Sequence, residues 1–324
     1  MLDYEDFKYT VAKRFKEFLP EQFQDMEIQL SKVDKVNRTM DAISLLNTQV
    51  EKSISPILYI DDMYEHYLDT KNLDAVLQTA ADRFNAAFSV MPENSPFQNG
   101  NAQGNIIFQL INTAQNERML KDAPHREFLD LSIIYRWVIS INEESMQSIM
   151  IHNKLAQQLG MNEEQLFKCA MKNTRRLLPP EIKSMNDILR EVFEENELAG
   201  SAPFIIFPDT SEDKMIWVIS NDKRNMGAAS ILYDECLHKS AMNLQSNLYV
   251  LPSSIHECIV VSDKIGSPDM LAEMVNDINM AEVELEDRLS NHVYHYDKDA
   301  RKLAIAANHP NTGLGSITED AKYI

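Results

Sequence analysis

"LDLSIIYRWVISI", running from Leu129 to Ile141, decides the fold. Leu129, Leu131, Ile133, Tyr135, Trp137, Ile139 and Ile141 fall at every second position, and Asp130, Ser132, Arg136 and Ser140 lie between them. Successive side chains of a strand point to opposite faces, so the alternation predicts a long strand with one buried face. Such a strand belongs in an antiparallel sheet, because parallel sheets are covered on both sides.

Working outward, "NEEQLFKCAMKNTRRLL" opens with Asn162 and Gln165 at capping-box spacing and carries an apolar stripe through Leu166, Ala170 and Leu177. Pro179 and Pro180 stop that helix. "SMNDILREVFEE" repeats the device with Ser184 and Asp187, and both helices are expected to pack on a sheet. Strands are expected at "MIWVIS", "LYVL", "IHECIVV" and "HVYHY". A helix is expected at "SPDMLAEMVNDIN", capped by Ser267 with Pro268 in its first turn. Toward the N-terminus, Phe7, Val11, Phe15 and Phe18 mark a helix from Asp3 to Leu19. Three short strands follow, around Met26 to Leu30, around Ile43 to Leu45 and at "SPILYI". Two helices come next, the second capped by Asn72.

The stretch "SVMPENSPFQNGNAQGN" is rich in Pro, Asn and Gly and reads as a linker. The fold class is therefore α+β, mainly antiparallel sheets covered by amphipathic helices, in two units. Their expected bounds are 1–90 and 104–306, with a loosely ordered tail at 307–324. No internal repeat is visible.

Of 324 residues 44% are apolar, with 8 Gly and 12 Pro, which suits a folded core. The 50 acidic side chains outnumber the 31 basic ones, a net charge of -19 that repels phosphate backbones and anionic membranes. Neither nucleic acid nor membrane is an expected partner. The densely charged start "MLDYEDFKYTVAKRFKEF" is unlike a signal peptide, and the expected compartment is the cytoplasm. Cys169, Cys236 and Cys258 are too few and too far apart for a disulfide framework.

"PSSIHEC" gathers Ser253, Ser254, His256, Glu257 and Cys258 and invites a hydrolase reading, with a serine nucleophile and His256 as base. If Pro252 and Ser253 turn the chain into a strand from Ile255 to Val261, His256 and Glu257 point to opposite faces. Glu257 then cannot orient the imidazole, and there is no G-x-S-x-G elbow. His292 and His295 have no ligand spacing, HExxH is absent, and with so few glycines no phosphate-binding loop exists. Neither a metal nor a cofactor is expected. Asn173, Arg175 and Arg176 near the end of their helix complement its dipole, and the arginines can also receive a partner's carboxylate.

The segments "ISPILYIDDMYEHY", "FQLINTAQNERMLKDAPHREFLDLSIIY", "GAASILYDECLHKSAMNLQSNLYVLPSSIHECIVV" and "LSNHVYHYDKDARKL" resemble DUF5688, a domain-of-unknown-function family from anaerobic gut bacteria. The likeness runs from about Tyr4 to Leu303. The C-terminal half is more distantly similar to another uncharacterised bacterial family, UPF0354. Neither resemblance implies an activity or a catalytic residue. The expected function is an intracellular, adaptor-like module that binds a protein or peptide through Ser253, Ser254, His256, Asn173, Arg175 and Arg176. The alternative is a hydrolase centred on Ser254 and His256, with Glu257 as third candidate. A carboxylate brought to His256 from elsewhere in the chain would favour that alternative.

Overall fold

A computed structural model describes residues 1–46, 55–89, 102–142, 146–195 and 216–307. The chain divides into two units, Met1–Gly100 and Asn101–Ile324. Apart from Ala307, which ends a strand, the tail expected to be loosely ordered lies outside the described residues, as does most of the expected linker.

In the first unit α1 (Tyr4–Arg14) starts where the Asp3 carboxylate accepts the Asp6 N–H at 2.8 Å. Strands β1 (Glu27–Lys35) and β2 (Arg38–Leu46) form an antiparallel hairpin, and Asn37 takes the left-handed conformation its two-residue turn requires. A short β3 (Leu58–Tyr59) completes the sheet and runs into α2 (Ile60–Thr70). The Asn72 side chain caps α3 (Leu73–Ser89), accepting the Ala75 N–H at 3.2 Å. Phe7, Phe15, Phe23, Ile60 and Phe84 fill the core between these elements.

The second unit holds two antiparallel sheets. In the smaller, β6 (Leu131–Ile141) is central: β4 (Ile106–Asn112) pairs along one edge, and β5 (His125–Phe128) and β7 (Met146–Met150) share the other. The expected strand is there, but it is not half-buried. Ser132 and Ile134 are as inaccessible as Leu131 and Tyr135. The polar positions are satisfied inside the protein, Ser132 by Thr113 at 2.8 Å and Arg136 by Ser148 at 2.9 Å. Leu129 precedes the strand with a positive φ, and Ile139, at a bulge between Val138 and Ser140, is exposed. Short helices α4 (Glu117–Leu120) and α5 (Asn153–Gln158) follow β4 and β7 in the chain, and α6 (Glu163–Leu177) carries the expected capping box and lies against β4, where Thr174 Oγ1 accepts the Phe108 N–H at 3.1 Å. That contact satisfies a strand-edge donor.

The larger sheet has the order β13-β12-β10-β11-β9-β8. Its strands are β8 (Pro180–Ser184), β9 (Ile216–Asn221), β10 (Leu248–Leu251), β11 (Cys258–Ser262), β12 (Val293–Asp297) and β13 (Lys302–Ala307). Ile219, Val250, Val260, Cys258 and Tyr294 are almost wholly buried. Helix α7 (Met185–Glu195) packs on β8 and β9, α8 (Asp234–Leu244) precedes β10, and α9 (Pro268–Ala281) seats Leu271, Ala272 and Val275 against Leu251, Val261 and Ile259.

One expectation is corrected here. The strand foreseen from Ile255 begins only at Cys258. Between β10 and β11 the chain from Pro252 to Glu257 is drawn off the sheet to pair with residues 287–290. Ile255 N–H donates to Asp287 O at 2.7 Å, and Leu289 N–H to Ser253 O at 2.9 Å. These bonds compete with continued pairing to β9 and win because they close the ends of both segments at once.

Candidate functional site

The register of the larger sheet places Lys183 opposite Val218 and Val218 opposite Ile259, and Glu181 opposite Ser220. Cross-strand partners share a face, so these side chains make a continuous floor. Ser184 ends β8 and at once caps α7, its Oγ accepting the Asp187 N–H at 3.2 Å. The abrupt reversal puts Met185 and Ile188 over the floor. Between the two layers lies a cavity of about 320 Å³, with Arg224 and Glu257 also among its lining residues. Its walls are mainly apolar, and its polar groups have very different standing.

Lys183 Nζ lies 2.7 Å from Glu191 and 2.9 Å from Glu181, and these two hydrogen-bonded carboxylates raise its pKa. Arg224 donates to the other Glu191 oxygen at 2.6 Å. Both cations are neutralised. Glu257 has no salt-bridge partner among the described residues; burial raises its pKa, opposed in part by His256 and by a hydrogen bond from Ser254.

The loop that presents Glu257 is held from below. Ser220 Oγ donates to His256 O at 2.8 Å, and Ala228 N–H donates to Ile255 O at 3.2 Å. A Cβ at Gly227 would stand 2.5 Å from His256 O and 2.7 Å from Asn221 N, so only glycine permits this approach. His256 Nε2 lies 3.1 Å from Asp287 Oδ1, and its Nδ1 accepts the Met226 N–H at 3.3 Å. That pattern assigns the ring proton to Nε2.

Ser254 Oγ accepts the backbone N–H of His256 at 3.0 Å. It does not meet the imidazole. Ser253 and Ser254 are buried, so the segment is a packed crossing and not a projecting turn. His256 and Glu257 do diverge, one to Asp287 and the other to the cavity.

The structure thus brings Ser253, Ser254, His256 and Glu257 together and engages Asn173, Arg175 and Arg176 elsewhere. Asn173 donates to Gln103 O at 2.6 Å and Arg176 to Gly104 O at 2.5 Å. Arg175 pairs with Glu235 and stacks 4.6 Å from the centre of the Tyr233 ring. None of these partners belongs to the loop at 252–257.

Sequence spacing did not reveal Asp287 or Arg224, whose partners lie about thirty residues away, nor Lys183, which pairs across its own strand and helix. The same holds for Asp130, which accepts Ser290 Oγ at 2.7 Å and Tyr294 Oη at 2.5 Å and lies 3.1 Å from His292 Nδ1. Burial works to raise the Asp130 pKa, but the bonds from His292, Tyr294 and Ser290 outweigh it and hold the carboxyl below its ordinary value. Among the described residues no group of three or more His, Cys, Asp or Glu is placed to hold a metal, and no helix is long and apolar enough to cross a membrane.

No curated protein and no solved structure matches the chain. The similarity to UPF0354 expected for its C-terminal half is not shown. The model of DUF5688, a family of unknown function, matches residues 4–298, and the chain belongs to that family.

Proposed function

We propose that the protein is a binding module, and that the cavity between α7 and the larger sheet receives a side chain presented by a protein or peptide partner. The carrying observation is the cavity itself, of a size at the lower end of small-ligand sites, with apolar walls and a few converging polar groups. A cytoplasmic setting is part of the same reading, and the three cysteines are all free. The test uses isoleucine-methyl NMR with n-hexanol as an apolar probe. Hexanol is expected to shift the Ile188 and Ile259 methyl signals, and Ile259→Trp, which fills the cavity, is expected to abolish the response. Unchanged methyl signals at saturating hexanol would remove the proposal.

One observation favours the hydrolase alternative: the carboxylate of Asp287 is at His256. Against it, the nitrogen that would take a proton from serine accepts a backbone N–H, and Ser254 Oγ accepts the His256 amide instead of meeting the imidazole. Turnover of p-nitrophenyl butyrate that falls with both Ser254→Ala and His256→Ala would establish the enzyme.

A further inference from the structure

We infer that the cavity takes a primary alkylammonium group on an apolar stem, the chemistry of a lysine side chain or a free aliphatic amine, with Glu257 receiving the ammonium. This inference rests on the cavity being the binding site.

Among the described residues the charges that line the cavity are Glu181 and Glu257 against Lys183 and Arg224, with Glu191 beside the two cations. Glu191 holds both cations, and Glu181 also reaches Lys183, so of these described carboxyls Glu257 is the one without a cation. An anionic ligand would meet Glu257 and find the two cations already spent. A neutral apolar ligand would fill the space and leave a half-buried carboxyl unpaired, which is costly. An ammonium on a short alkyl stem satisfies both demands: methylenes lie against Val218, Ile259, Met185 and Ile188, and the head group reaches Glu257.

The groups facing Glu257 are Ser254 and His256 on its own loop, Asp287 beyond His256, Arg224 after β9, and Glu181 and Lys183 on β8. A bound cation favours the ionised carboxylate. The upward shift of the Glu257 pKa in the free protein therefore makes binding tighten as pH rises, until the amine itself loses its proton.

Calorimetric titration of the full chain with n-hexylammonium, n-hexanol and hexanoate tests this. Hexylammonium is expected to bind about tenfold tighter than hexanol, the increment of a hydrogen bond to a charged group, with hexanoate weakest. Glu257→Gln is expected to erase that preference while hexanol binding persists, and Ile259→Trp is expected to block all three. Equal affinities for hexanol and hexylammonium in the unaltered protein overturn the inference and leave the cavity reading standing; no binding of any probe overturns both. A capped lysine tetrapeptide and its norleucine counterpart separate the sources. Preference for the lysine peptide supports a protein partner, and binding of hexylammonium without the peptide supports a free amine.

Discussion

His256 Nε2 lies 3.1 Å from Asp287 Oδ1 while Nδ1 accepts the amide of Met226. One imidazole therefore joins three pieces of chain: the crossing at 252–257, the turn that ends at Asp287, and the turn that leads into Gly227. It acts as a brace for the loop that carries Glu257.

The brace has a modest expected worth. His256 and Asp287 are both about one-third exposed, so solvent screens the pair, and such contacts contribute about 1 kcal/mol or less. His256→Ala also orphans the Met226 amide, and the total loss in urea unfolding is expected to be about 1–2 kcal/mol. A variant as stable as the parent protein would show that the imidazole holds nothing.

Local chemistry was legible and long-range partnership was not. The caps at Asp3, Asn72, Asn162 and Ser267 all form, because each side chain bonds a backbone amide three residues on. Strand β6 was legible from its apolar alternation, but its polar positions looked solvent-facing because the groups that satisfy them, such as Thr113 and Ser148, lie on other elements. Strands β5, β7 and β8 mix polar and apolar residues without a clear alternation, and the apolar run of β4 is equally consistent with a buried helix segment. In the candidate site, "PSSIHEC" announced itself by composition, but its meaning depended on Asp287 and Gly227, both about thirty residues away in sequence. The crossing at Pro252 to Glu257 was misread as strand because apolar Ile255 sits in step with β11, and nothing local reveals the competing bonds to residues 287–290.

Asp130 offers a sharper test of stability. It is held by Ser290, Tyr294 and His292, so it ties the start of β6 to the larger sheet. Asp130→Ala leaves the Ser290 and Tyr294 hydroxyls without their acceptor and removes the carboxylate beside His292 Nδ1, and the expected loss at neutral pH is about 3 kcal/mol. Because the folded pKa is depressed, the carboxylate's stabilisation is fully present above the unfolded value, about 3.9, and is lost as pH falls through the folded one. The gap between parent and variant should therefore narrow in strongly acidic urea titrations. A gap that widens there would contradict the assignment.

Gly227→Ala tests the close approach beneath the loop. Ser220 Oγ, 2.3 Å from the added methyl, can rotate away, but His256 O and Asn221 N are backbone atoms and cannot. The expected cost is about 2–3 kcal/mol, with the Ile259 methyl signal displaced even without ligand. A substitution tolerated without either change would mean that the two backbones have room to part.

The last prediction separates scaffold from binding surface at the end of α6. Asn173 is buried and donates to Gln103 O, and Arg176 donates to Gly104 O, so both side chains anchor the short turn Ala102–Asn105 that leads into β4. Asn173→Ala leaves that carbonyl without its donor and is expected to cost about 1–2 kcal/mol in urea unfolding. Arg176→Ala, on a more exposed bond, should cost less. Because neither residue lines the cavity, hexanol affinity should be unchanged in both variants at temperatures where they remain folded. Weakened hexanol binding in a fully folded Asn173→Ala protein would show that α6 belongs to the binding surface after all, and would return Asn173, Arg175 and Arg176 to the site.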